Sequence, residues 1–241
     1  MNVKAYIPNL LTLLNLFSGC IALVFVADSK YDLALYFVSL GIFFDFFDGF
    51  FARKFGVSGP LGVQLDSLAD MVTSGVVPGF AMYQMLMSAC NGSCSTSFSL
   101  FPFLGFIITL GACYRLANFN IDTRQSDSFI GLPTPANTLF IMSLPVIGMM
   151  DSESVVSTYL LTCNRNLLVI TLLSAYIMNA EIPLFSLKIK DFSVKKYMLQ
   201  ISFLVISILM IITLRFLALP LIIITYVLLS ILNNTFQKKA S

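Results

Sequence analysis

Apolar residues along this chain fall into blocks of about 16 to 24, separated by short stretches carrying charge, glycine or proline. Roughly 20 residues of helix cross the hydrocarbon of a bilayer. The blocks therefore predict eight spans: Ile7–Ala27, Leu33–Phe51, Leu65–Ser88, Phe98–Asn118, Pro135–Met150, Leu167–Phe185, Met198–Leu214 and Leu217–Leu232. The apolar stretch from Tyr197 to Leu232 would be about 54 Å long as one helix, too long for a single crossing, so Arg215 and Pro220 mark a break. The expected fold is an all-α integral membrane protein of about eight transmembrane helices. It forms one membrane domain over residues 1–241, with 5–190 as its core and 197–234 as additional C-terminal helices.

Composition agrees: 58% of the 241 residues are hydrophobic and the mean hydropathy is +0.90, which excludes an ordinary water-soluble core. A net charge of +2 without a long basic run excludes a nucleic-acid footprint. The first block has neither a basic leader nor a small-residue cleavage site, so it is expected to be a retained span, with no soluble domain appended. With an even number of spans both termini share one side. That side then holds every Lys and Arg except Lys30, Arg165 and Arg215, which makes it cytoplasmic and leaves the uncharged loop Asn91–Ser97 outside. Of the cysteines, Cys90 and Cys94 share one polar loop and are either bridged or free thiols, and the absence of histidine removes zinc-type patterns.

Four acids break the apolar pattern. The second block ends in Phe44-Asp45-Phe46-Phe47-Asp48-Gly49-Phe50-Phe51-Ala52-Arg53, and the third opens with Gly62-Val63-Gln64-Leu65-Asp66-Ser67-Leu68-Ala69-Asp70. Asp45 and Asp48 lie three apart, Asp66 and Asp70 four apart, so each pair occupies one helix face and a hairpin brings the pairs together. At about 3 kcal/mol per charge near the bilayer centre, four lipid-facing aspartates would cost about 10 kcal/mol. They are therefore expected to face inward around cations. An all-oxygen set favours Mg²⁺ or Mn²⁺, two ions sharing the four carboxylates as in phosphate transfer.

Asp45, Asp48, Gly49, Ala52, Arg53, Gly62, Asp66 and Asp70 stand at the spacing D-x2-D-G-x2-A-R-x8-G-x3-D-x3-D. In all eight fixed positions the chain resembles the CDP-alcohol phosphatidyltransferases, and a chance match should be rarer than about one in a million. The resemblance implies that family's six-helix core and a bacterial-type membrane enzyme acting at the cytoplasmic face. It implies CDP-diacylglycerol as donor, CMP as leaving group, and a homodimer. It also implies Asp45, Asp48 and Asp66 as main metal ligands, and Asp70 as both contributing ligand and general base. Gly49 and Ala52 permit close approach of a nucleotide or close helix packing alike. Arg53 is expected on pyrophosphate oxygens, or else anchoring the loop at the membrane surface. Gly62 opens the next helix near the cytidine end. Ile7-Pro8-Asn9-Leu10-Leu11-Thr12-Leu13-Leu14-Asn15 resembles the family's first helix, with Asn9, Thr12 and Asn15 pointing polar groups inward, toward ligand or toward neighbouring helices.

The acceptor is read from Tyr114-Arg115-Leu116-Ala117-Asn118-Phe119-Asn120 and from Phe129-Ile130-Gly131-Leu132-Pro133-Thr134-Pro135-Ala136-Asn137, which resemble the phosphatidylserine synthase branch of that family. An L-serine acceptor needs a cation for its carboxylate, and Arg115 is the candidate, with Asn118 one turn on and Gly131 and Thr134 closing the pocket. The alternatives are that Arg115 anchors its helix and that the loop simply starts the next one. Glycerol 3-phosphate and inositol phosphate would call for more basic residues than Arg115 and Arg124 provide beyond Arg53 and Lys54. Choline stays open as an acceptor. An ion-coupled transporter would account for intramembrane acids but not for the whole signature.

Overall fold

The computed structural model describes residues 6–57, 59–90, 100–122, 129–150, 161–185 and 198–240. Eight helical rods run through them. They are α1 (Tyr6–Ala27), α2 (Tyr31–Phe55), a rod of α3 (Pro60–Asp70), a π segment (Met71–Val76) and α4 (Val77–Cys90), and a rod of a 3₁₀ turn (Phe101–Phe106) and α5 (Ile107–Ile121). Then follow α6 (Thr134–Met150), α7 (Asn164–Asn179), α8 (Met198–Leu214) and α9 (Ala218–Ala240). A two-residue antiparallel ladder pairs β1 (Phe129–Ile130) with β2 (Pro183–Leu184). Tyr6–Ala27, Tyr31–Phe55, Phe101–Ile121 and Met198–Thr235 are long and apolar enough to cross a membrane by length and composition. The loop carrying Cys94 lies outside the described residues, as do Lys4, Arg124, Lys188, Lys190, Lys195 and Lys196. Cys20, Cys113 and Cys163 are free thiols.

The break expected at Arg215 is a 3₁₀ turn, Arg215–Leu217, in which Arg215 takes a φ of 50°. It folds α8 back on α9. The rings of Phe203 and Tyr226, about 34 Å apart along a straight helix, stand 5.5 Å apart. The Tyr226 hydroxyl donates to the Phe185 carbonyl at 2.9 Å and Asn234 Nδ2 to that of Pro183 at 2.6 Å, tying α9 to the segment around β2.

Polarity is reversed from that of a water-soluble bundle. On α1 the exposed positions include Leu10, Phe17 and Val24, and the buried ones Thr12, Asn15, Ser18 and Gly19. One apolar cluster, with Ala22, Val26, Ala34, Leu35, Val38, Ala81 and Val146, fills the end of the α1–α2 hairpin near its Asp28–Lys30 turn. The opposite end is left to polar groups. There α2 stops at Gly56, whose left-handed φ of 65° lets its N–H reach Arg53 O (3.2 Å) while Val57 N–H reaches Ala52 O (3.0 Å). Pro60 then opens α3, where a missing N–H costs nothing.

The π segment has a local cause. Pro78 has no N–H, so the helix ladder cannot satisfy the carbonyl of Ser74. The Thr138 hydroxyl of α6 donates to that carbonyl at 2.9 Å, and the Thr109 hydroxyl of α5 donates to the next one, Gly75 O, also at 2.9 Å. Two neighbouring helices thus hold open a wide turn immediately after Asp70.

Candidate metal and phosphate site

The C-terminal half of α2 carries Asp45 and Asp48, and α3 carries Asp66 and Asp70. One oxygen from each of Asp45, Asp48 and Asp66 lies within 4.8 Å of the others. Asp70, one turn beyond Asp66 on the same helix, is not among these three. Asp48 and Asp70 are 6% and 8% exposed, while Asp45 and Asp66 are half-buried.

The three-acid group fits a hard divalent cation. Its donors are all oxygen, and among the described residues no Lys or Arg forms an ion pair with it. Three carboxylates crowded together without a directly paired cation are the donor set such an ion requires.

α1 backs the site from below. The Thr12 hydroxyl donates to Asp48 Oδ2 at 2.6 Å, and Asn15 Nδ2 donates to Asp70 Oδ1 at 3.0 Å. Thr12 Oγ1 also lies 3.1 Å from Pro8 O, but its one proton is best placed on the charged partner. Of the two readings of Thr12, contact with a neighbouring helix is the one its geometry displays: its hydroxyl is buried and engaged by a carboxylate. Asn9 meets the start of α3, its Oδ1 lying 3.8 Å from where a Cβ on Gly62 would stand. Gly49 makes room for Arg53, whose guanidinium lies 3.2 Å from where a Cβ at 49 would be. Ala52 is half-buried one turn before the end of α2.

Arg115 is 8% exposed, and its Nη1 donates to the carbonyls of Ile130 (3.0 Å) and Met178 while Nη2 donates to that of Gly131 (3.2 Å). An arginine held this way clamps α5, the residue 130–131 turn and the end of α7, as the anchoring alternative has it. Gly131 belongs to the same clamp. Its φ is 73°, and a Cβ there would stand 2.8 Å from Arg115 Nη1 and 2.5 Å from Met178 O. Thr134 is buried, and Asn118 is exposed on α5. Asn120, which ends the Tyr114–Asn120 segment, reaches across to α3, its Nδ2 donating to Ser67 Oγ at 2.8 Å.

The family model described as CDP-alcohol phosphatidyltransferase matches residues 5–177. A CDP-diacylglycerol–serine O-phosphatidyltransferase from Bacillus subtilis is 35% identical over 134 residues, covering 54% of this chain and 70% of that protein. An archaetidylserine synthase from Methanothermobacter thermautotrophicus is 32% identical over 59% of this chain and 58% of its own. A CDP-diacylglycerol–serine O-phosphatidyltransferase from Saccharomyces cerevisiae is 31% identical over 58% and 53% respectively. The chain spans little more than half the length of the latter two.

Proposed function

This chain belongs to the CDP-alcohol phosphatidyltransferase family, and from that premise we propose that it transfers the phosphatidyl group of CDP-diacylglycerol to the hydroxyl of L-serine, giving phosphatidylserine and CMP. The observation that carries the reading is the three-carboxylate group of Asp45, Asp48 and Asp66 with Asp70 standing beside it, all within the family's signature. Serine is favoured as acceptor because relatives with a diacylglycerol donor and with an archaeal lipid donor are alike named for serine.

In this reading Asp45, Asp48 and Asp66, with Asp70 contributing, would hold Mg²⁺ or Mn²⁺, two ions in all, which would supply positive charge opposite the pyrophosphate of the donor. Arg53, curled over Gly49, faces the same phosphates. Asp70 takes the proton of the serine hydroxyl, the oxygen attacks the β-phosphorus, and the bond from that phosphorus to the CMP oxygen breaks. The site faces the cytoplasm, the side to which the Lys and Arg skew assigns it. A homodimer is part of the proposal by family analogy alone.

The test supplies purified chain in detergent with CDP-diacylglycerol and, separately, serine, glycerol 3-phosphate, inositol phosphate or choline. CMP and a new phospholipid should appear with serine and disappear with a chelator. CMP release with another acceptor and none with serine would overturn the assignment.

A further inference from the structure

Asn15 lies fully buried on α1, and its side chain is divided between two neighbours. Nδ2 donates to Asp70 Oδ1 at 3.0 Å. Among the described residues Oδ1 has no hydrogen-bond partner, and it abuts the α2 backbone, 2.8 Å from where a Cβ on Gly41 would stand. The amide has one sensible orientation, because the flipped form would set its oxygen against a carboxylate. Its backbone is fixed too: Asn15 O accepts the Thr73 hydroxyl at 3.1 Å, from the π segment just after Asp70. Thr73 is in turn wedged against Gly19 of α1, where an added Cβ would collide with its Oγ1. Asn15 is therefore joined to the helix of Asp70 both before and after the point where that helix widens, with glycines on α1 and α2 allowing the approach.

From this geometry we infer that Asn15 is a positioning residue for Asp70: it fixes the rotation of the carboxylate, holding Oδ1 and leaving Oδ2 to receive the acceptor's proton. The inference rests on the proposed role of Asp70 as base. The three metal-grouped aspartates do not need Asn15, since it bonds to the acid outside their group. A buried amide with one half unsatisfied is costly, and its retention opposite Asp70 accords with a role beyond packing.

The experiment measures steady-state rates of the full chain in detergent, with CDP-diacylglycerol, serine and Mg²⁺ or Mn²⁺, expressed per CMP-binding site. Asn15→Leu, close in volume but without a donor, should lower kcat by about tenfold or more while KM for both substrates stays within about twofold. Ser18→Ala is the control: Ser18 is buried on the same helix, but its hydroxyl bonds only within α1, to Leu14 O at 2.8 Å, so its rate should match wild type. Gly41→Ala keeps Asn15 but pushes on its Oδ1 and on the Cγ2 of Thr73, which bonds to Asn15 O, and should reproduce the kcat loss even where Asn15→Leu fails to fold. Unchanged kcat in both variants, or a loss confined to KM or to the number of CMP-binding sites, would overturn the inference. A wild-type chain that makes no CMP with serine would instead overturn the reaction assignment.

Discussion

The Thr12 hydroxyl and the Asp48 carboxylate meet across 2.6 Å, joining the first helix to the acidic group on the second. Hydrogen bonds to buried charges contribute about 1.5–3 kcal/mol. Thr12→Val should therefore raise the divalent ion concentration for half-maximal activity by about tenfold or more, and Thr12→Ser should not. A raised KM for CDP-diacylglycerol with an unchanged metal requirement would return Thr12 to the nucleotide.

Separating Asp70 from the other three acids predicts two kinds of loss. Asp70→Asn should abolish turnover while leaving metal-dependent CMP binding in place, whereas Asp45→Asn should remove both. Equilibrium binding of labelled CMP with and without chelator distinguishes them, and near-normal turnover by Asp70→Asn would refute the base assignment.

Arg115→Leu leaves three backbone carbonyls without their guanidinium donor. At about 1–3 kcal/mol for an unsatisfied buried group, the melting temperature in detergent should fall by about 5 °C or more. Gly131→Ala should act in the same direction, through its positive φ and the collision with Met178 O. Unaltered melting together with a raised KM for serine alone would mark Arg115 as an acceptor residue after all.

A cation that binds only the folded chain stabilises it by mass action, about 2.7 kcal/mol at a hundredfold excess over Kd. Adding Mg²⁺ or Mn²⁺ to chelator-treated protein should raise its melting temperature. The rise should vanish in Asp45→Asn. Equal rises in both proteins would place the ion elsewhere.

Much of the architecture was legible because the periodic signal is strong. The apolar blocks correspond to the eight rods, and Arg215 marks the turn between α8 and α9. The signature likewise brought the acids of α2 and α3 to one place. What spacing leaves open is how two helices are rotated about their axes, and it is that rotation that groups Asp45 and Asp48 with Asp66 and not with Asp70. Arg115 shows the same limit: a sequence displays its charge, but not the carbonyls brought in from residues 130, 131 and 178. The clue to Asn15 was present, since Asn9, Thr12 and Asn15 recur every three residues on one face, but not which acid each would meet.

The wide turn at Met71–Val76 means that one rod carries two faces set at independent angles, like cams keyed separately to a single shaft. The upstream cam carries Asp66 and Asp70, the latter against Asn15 of α1, and the downstream one seats Val77 and Ala81 among the packed helices. Shortening the stretch by one residue would turn one cam against the other by about 100°. Timing between chemistry and scaffold is therefore set by the length of this insert.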